Sequence, residues 1–133
     1  VEEVNKPTIN EALPILRLSA KKKEKSIFGV YSNCKNVDKF ISGVFATEFK
    51  DDITSKKKFS WTNSGGEGAI LVNNENGMIE NGDYIMTSST PGIGCLSDSD
   101  IMTNYVVAKA TQDITQAKDN GDGTYLISCL YML

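Results

Sequence analysis

Short apolar runs fenced by turn formers constrain this chain more than any other feature. Asn73-Asn74-Glu75-Asn76-Gly77, Asn81-Gly82, Ser89-Thr90-Pro91-Gly92-Ile93-Gly94 and Asp119-Asn120-Gly121-Asp122-Gly123 punctuate its second half. These residue types tolerate or favour the backbone of tight turns. Between the clusters lie the strand-like runs 69–72, 83–88 and 105–110, and 125–133 ends the sequence as a nearly continuous apolar strand that only Ser128 interrupts. Upstream, Ser26-Ile27-Phe28-Gly29-Val30-Tyr31-Ser32 is β-branched and aromatic with polar ends, and 41–49 is a weaker strand candidate. No long stretch places apolar residues three and four apart. The expected fold is therefore mainly β, a single compact β domain over 15–133 preceded by an extended or short helical N-terminal arm over 1–14.

The terminal run also carries an energetic demand. Nine residues of so little polarity at a bare sheet edge would template aggregation, so the strand must be covered, either by a central place in the sheet or by neighbouring copies of the chain.

With 133 residues the chain can bury a core without metals or disulfides as staples. Its formal net charge of -3 gives no bias toward nucleic acid or an anionic membrane. Lys21-Lys22-Lys23-Glu24-Lys25 and Lys56-Lys57-Lys58 are short and offset by acids, and read as solvated turns. Cys34, Cys95 and Cys129 are widely spaced and odd in number, which points to reduced, mostly buried thiols rather than a disulfide framework or a zinc site. No apolar run is long enough to span a membrane, and Val1-Glu2-Glu3 is acidic where a secretory leader is basic, so the expected compartment is the cytoplasm.

The absence of histidine removes Ser-His-Asp and Cys-His catalysis within this chain, and with them any His-ligated metal centre. Ser64-Gly65-Gly66-Glu67-Gly68 is glycine-rich but lacks the Gly-Lys-Ser/Thr ending of a phosphate loop and the Gly-x-Ser-x-Gly of a nucleophile elbow. It reads as a flexible turn before a strand that starts at Ala69. Carboxylates remain as acid and base groups. Glu2-Glu3 and Asp98-Ser99-Asp100 each place acids close together; both read first as solvated segments, with a pKa raised by repulsion or burial as the alternative.

Gly66-Glu67-Gly68-Ala69-Ile70, Gly82-Asp83-Tyr84-Ile85, Thr87-Ser88, Pro91-Gly92 and Tyr105 to Lys109 follow one another in a fixed order. That order resembles the autoproteolytic intramolecular-chaperone domain at the C-terminus of phage tail-spike proteins, typified by neck appendage proteins, with similarity running from about Ser26 to Lys109. The resemblance implies a homotrimer behind a β-helical fibre of the same polypeptide. There the domain templates folding and register of the three chains in the host cytoplasm, then leaves by self-cleavage and is absent from the mature virion. It implies a single-turnover peptidase that uses carboxylates near the fibre junction, which places the cut at or near Val1 and makes Glu2 and Glu3 the catalytic candidates. It also carries ATP as a candidate cofactor, with 64–68 and the lysine clusters as candidate contacts. A non-cleaving trimeric cap or receptor-binding tip of a fibre is the alternative, and a small hydrolase with an external substrate is a third reading.

Overall fold

Tyr125–Met132 (β10) organises the structure, a computed structural model that describes residues 2–3, 16–31 and 62–133. Along one edge β10 pairs antiparallel with all of β5 (Gly65–Val72), from Tyr125↔Val72 to Met132↔Gly65. Its other edge is shared by β8 (Val106–Ala110), through Cys129↔Ala110 to Tyr131↔Ala108, and by β9 (Lys118–Asp119), through Leu126↔Lys118. Both edges of the apolar terminal strand are therefore satisfied within one chain. Central placement, not a neighbouring copy, answers its aggregation hazard.

The remaining strands close the sheet on itself. β6 (Tyr84–Thr87) pairs antiparallel with β8, with a register shift between Ile85 and Met86, and with β7 (Gly94–Leu96) on its other side. β7 returns to β5 through one parallel pair, Val72↔Gly94, so the order β5-β7-β6-β8-β10 leads back to β5. Closure of this kind leaves few open edges, though the β5–β7 seam is thin. Two further pairs lie outside this sheet: β1 (Glu2–Glu3) with β2 (Leu16–Arg17), and β3 (Val30–Tyr31) with β4 (Thr62–Asn63). The chain divides into a unit of 1–30 with 63–133 and a unit of 31–62, and of the second only Tyr31 and Thr62 are described.

Strand alternation explains the core. On β10, Ile127, Cys129 and Tyr131 are buried while Leu126 and Leu130 are exposed; on β5, Ile70 and Val72 are buried and Leu71 exposed. The inward set joins Ile79, Ile85, Val107, Ala108 and Ala110, and the short 3-10 turn Ile114–Gln116 adds Ile114. A period of two with one face inward is the signature expected of such strands. The mainly β expectation thus holds, and the turn clusters fall where strands reverse. Gly77 and Gly82 adopt φ of 122° and 97°, which side chains larger than hydrogen resist.

Two local expectations are corrected. The glycine-rich run is not a turn before Ala69: Gly65 to Gly68 are already strand, fully paired with β10. The reason lies across the ladder. Tyr131 turns inward over Gly68, and its hydroxyl donates to the Ala69 carbonyl at 2.8 Å and accepts from the Ala69 N–H at 3.1 Å. A side chain at position 68 would occupy the place of that ring. Of the described part of the run 26–32, residues 26–31, Val30–Tyr31 is strand and Ile27 makes an isolated bridge, with Ile27 and Val30 packed on the core. The 41–49 candidate, Lys56-Lys57-Lys58 and Cys34 lie outside the described residues.

Candidate functional site

One end of the barrel carries a polar cluster that fastens the segment after β2 to the sheet. Its centre is Thr87, the last residue of β6 and only 5% exposed. The Thr87 Oγ1 accepts from the Glu24 N–H at 2.9 Å and donates to the Lys21 carbonyl at 2.8 Å. Glu24 itself is 3% exposed. Its carboxylate accepts from the Ala20 N–H at 2.8 Å, and its other oxygen lies 3.7 Å from the Arg17 guanidinium. Ser19, also buried, accepts through Oγ from the Gly92 N–H at 3.1 Å, and Leu18 packs beside Gly92.

Lysines on the same turn extend the hold sideways. Lys22 Nζ lies 3.2 Å from Glu75 Oε2, and Lys23 pairs with Asp98. Asp98 also accepts from the Tyr105 hydroxyl at 2.8 Å, while the Lys23 ammonium sits 5.8 Å from the centre of the Tyr105 ring. Lys23 takes φ of 54°, and that left-handed turn lets consecutive lysines reach different elements. Ser89 binds Glu75 with its N–H at 3.1 Å and with its hydroxyl at 2.8 Å, which ties the 73–77 turn to the 88–93 turn. The reading of Lys21 to Lys25 as a solvated turn holds for the four lysines, which are exposed although Lys22 and Lys23 are engaged in ion pairs, and is corrected for Glu24, which is interior.

The electrostatics suit adhesion, not acid–base catalysis. Burial pushes the Glu75 carboxyl up, but hydrogen bonds from Ser89, Asn73 and Lys22 outweigh it and bring the pKa to about 2. Asp98 is likewise lowered, first by its hydrogen bond from Lys23 and then by that from Tyr105. Asp98 in the 98–100 cluster is therefore shifted down, not up, because its neighbours are a cation and a hydroxyl donor. Lys23 is raised by the same Asp98 contact. Burial pushes the Cys95 and Cys129 thiols to about 11, so these two are the reduced, buried residues the sequence suggested.

These shifts fix a pH window. Carboxylates with lowered folded pKa values add stability that is complete above their ordinary values, 4.5 for Glu75 and 3.8 for Asp98, and lost as pH falls through the folded ones. The raised Lys23 adds stability that is complete below 10.5 and lost as pH rises through its folded value. Thermal unfolding followed by circular dichroism is expected to show no loss of this cluster's contribution between about pH 5 and 9. Below pH 4 the melting temperature falls, and Glu75→Gln shrinks that fall by removing the group whose pKa changes most. An acid limb of the same steepness in Glu75→Gln would show that other carboxylates govern it.

Glu2 and Glu3, the catalytic candidates from sequence, form β1, with Glu2 opposite Arg17 and Glu3 opposite Leu16. Their side chains lie outside the described residues. The described part of the candidate arm, Glu2–Glu3, is strand, with Glu2 directly opposite the arginine that reaches Glu24. The candidate nucleotide contacts are not a loop: Gly65 to Gly68 are strand, and Lys22 and Lys23 are committed to Glu75 and Asp98. Among the described residues no group of three His, Cys, Asp or Glu side chains could hold a metal, and no helix is long and apolar enough to cross a membrane. Sequence reasoning missed Glu24, Glu75, Thr87 and Ser89 as one cluster. The available signal was a lone acid inside a lysine run.

No family model, curated protein or solved structure matches this chain.

Proposed function

We propose that this chain is an intramolecular chaperone domain that brings three copies of an upstream β-helical fibre together, sets their register, and is released by self-cleavage on the N-terminal side of β1. The observation that carries the reading is the outer face of β5 and β10. Leu71, Leu126 and Leu130 stand 37–39% exposed there, and β10, which carries two of them, is paired along both edges. β10 cannot recruit a partner by edge pairing, so its apolar outer face is what remains for it to associate through.

Templating also needs the fibre-proximal segment held relative to the barrel, and the polar cluster supplies that hold. Non-local pairings of a woven β-helix form slowly and slip in register, and a trimeric module raises the local concentration of the three chains. Around the junction, β1 is kept extended by its pairing with β2. Glu2 and Glu3 remain the proposed acid and base of that cut, with no histidine involved. Trimeric association without cleavage, as a fibre cap, is the alternative, and the same apolar face supports it.

The test is a precursor with fibre sequence upstream of Val1, expressed alone and measured by intact and by native mass spectrometry. Two products with a junction near Val1, from a trimer, are expected, and Glu2→Gln or Glu3→Gln is expected to slow the cut while trimers persist. An uncut trimer would favour the cap; an uncut monomer would overturn both.

A further inference from the structure

We propose, resting on the reading that copies associate through the outer face of β10, that they meet around an axis running along this strand, with Glu67 of one copy paired to Lys109 of the next. The strand register puts Lys109, Leu130 and Glu67 in one row across β8, β10 and β5. Leu130 is thus flanked by a cation on one side and a carboxylate on the other. Two pleat repeats away, Leu126 sits between Lys118 of β9 and Leu71 of β5. Ser128, opposite Ala69, separates the two leucine rows and accepts from the Thr111 hydroxyl at 2.9 Å.

The flanks differ in sign, and that asymmetry selects the geometry. With the rotation axis along β10, the β8–β9 flank of one copy meets the β5 flank of the next, so lysines face Glu67 and leucines face the axis. With the axis across the strands, Lys109 would face Lys109 and Glu67 would face Glu67, and like charges brought together at an interface are strongly unfavourable. Lys109 is already held over the Tyr84 ring, with Nζ 5.9 Å from its centre, which limits the side-chain freedom lost when a partner binds. Leu126 and Leu130, four residues apart, supply two apolar layers about 13 Å apart along the axis. The occupant of this face is therefore a second copy of the chain, and the fibre of the same polypeptide is the competing occupant.

Charge reversal tests the pairing on the full chain. Sedimentation equilibrium of Glu67→Lys and of Lys109→Glu is expected to show each single variant associating about a hundredfold more weakly per contact, and the double reversal regaining wild-type association. Circular dichroism of all four proteins checks that the barrel is unchanged. A second measurement needs no energetic assumption: Glu67→Cys with Lys109→Cys, in a Cys34→Ser background, should oxidise to covalent trimers. Within one chain these positions are two strands apart, about 10 Å, beyond disulfide reach. Trimers that ignore both reversals and do not cross-link would overturn the pairing while leaving trimeric templating intact. Covalent dimers would keep the pairing and overturn the threefold reading. A monomeric wild-type chain would overturn both.

Discussion

Replacing Gly68 with alanine is expected to destabilise the barrel by about 3 kcal/mol, the sum of overpacking and two lost hydrogen bonds. A Cβ at this position would stand against the Tyr131 hydroxyl and 2.5 Å from its Cε2, with Cζ at 2.6 Å. The ring has no room to step aside, since Tyr131 is 9% exposed within the core and its hydroxyl is fixed to both the N–H and the carbonyl of Ala69. Moving it gives up both bonds and uncovers the β5 backbone near the thin seam with β7. The melting temperature should fall by roughly 10 °C for a domain of this size. A double-mutant cycle separates the clash from any intrinsic cost of alanine in the strand. In a Tyr131→Leu background, Gly68→Ala should cost less than about 1 kcal/mol, because the shorter side chain leaves space for the methyl group. Equal losses in both backgrounds would mean that Tyr131 is not what requires glycine.

That pair shows where sequence reading stopped. The outline of the sheet was legible because its signals are local: Asn81-Gly82 is a turn former, and the nearly continuous apolar run 125–133 needs no partner to be read as a strand. Gly66-Glu67-Gly68 gave the opposite impression. Glycine is a poor strand former, and the residue that makes it necessary lies more than sixty positions away on the last strand. The partners of the lysine run were hidden for a similar reason. Its acids, Glu75 and Asp98, come from turns whose approach to Lys22 and Lys23 is a product of closure, so counting charges along the chain could not find them. The Gly94–Leu96 strand was hidden by its length and by a glycine that read as turn. For the proposed site the sequence offered Glu2-Glu3 as a bare acidic pair; only the fold adds that it pairs with a strand whose Arg17 touches the buried Glu24.

Thr87→Val is the substitution that should separate the N-terminal segment from the barrel. Valine keeps the shape of threonine but can neither accept from the Glu24 N–H nor donate to the Lys21 carbonyl, and it leaves both groups without a partner in a buried site. An unsatisfied buried polar group costs about 1–3 kcal/mol, so the two together exceed what the exposed ion pairs of Lys22 and Lys23 can hold. The cheapest escape is for residues 18–25 to lift off into water, where their backbone is solvated, rather than for the whole domain to unfold. Limited proteolysis should then cut after Lys21, Lys22, Lys23 or Lys25 at least tenfold faster than in the wild type, while β5 to β10 keep their hydrogen-exchange protection. Thr87→Ser, which retains the hydroxyl, should restore resistance, and this rescue distinguishes a lost hydrogen bond from a packing defect. If the segment stays protected in Thr87→Val, the ion pairs and the Ser19–Gly92 bond suffice, and Thr87 is dispensable to the hold. If it lifts as expected, the same variant in a fibre-bearing precursor becomes informative about function. If the chain templates a fibre as proposed, register passes to the preceding chain through this connection, so precursor trimers carrying Thr87→Val should assemble with normal mass but with slower or misaligned fibre folding.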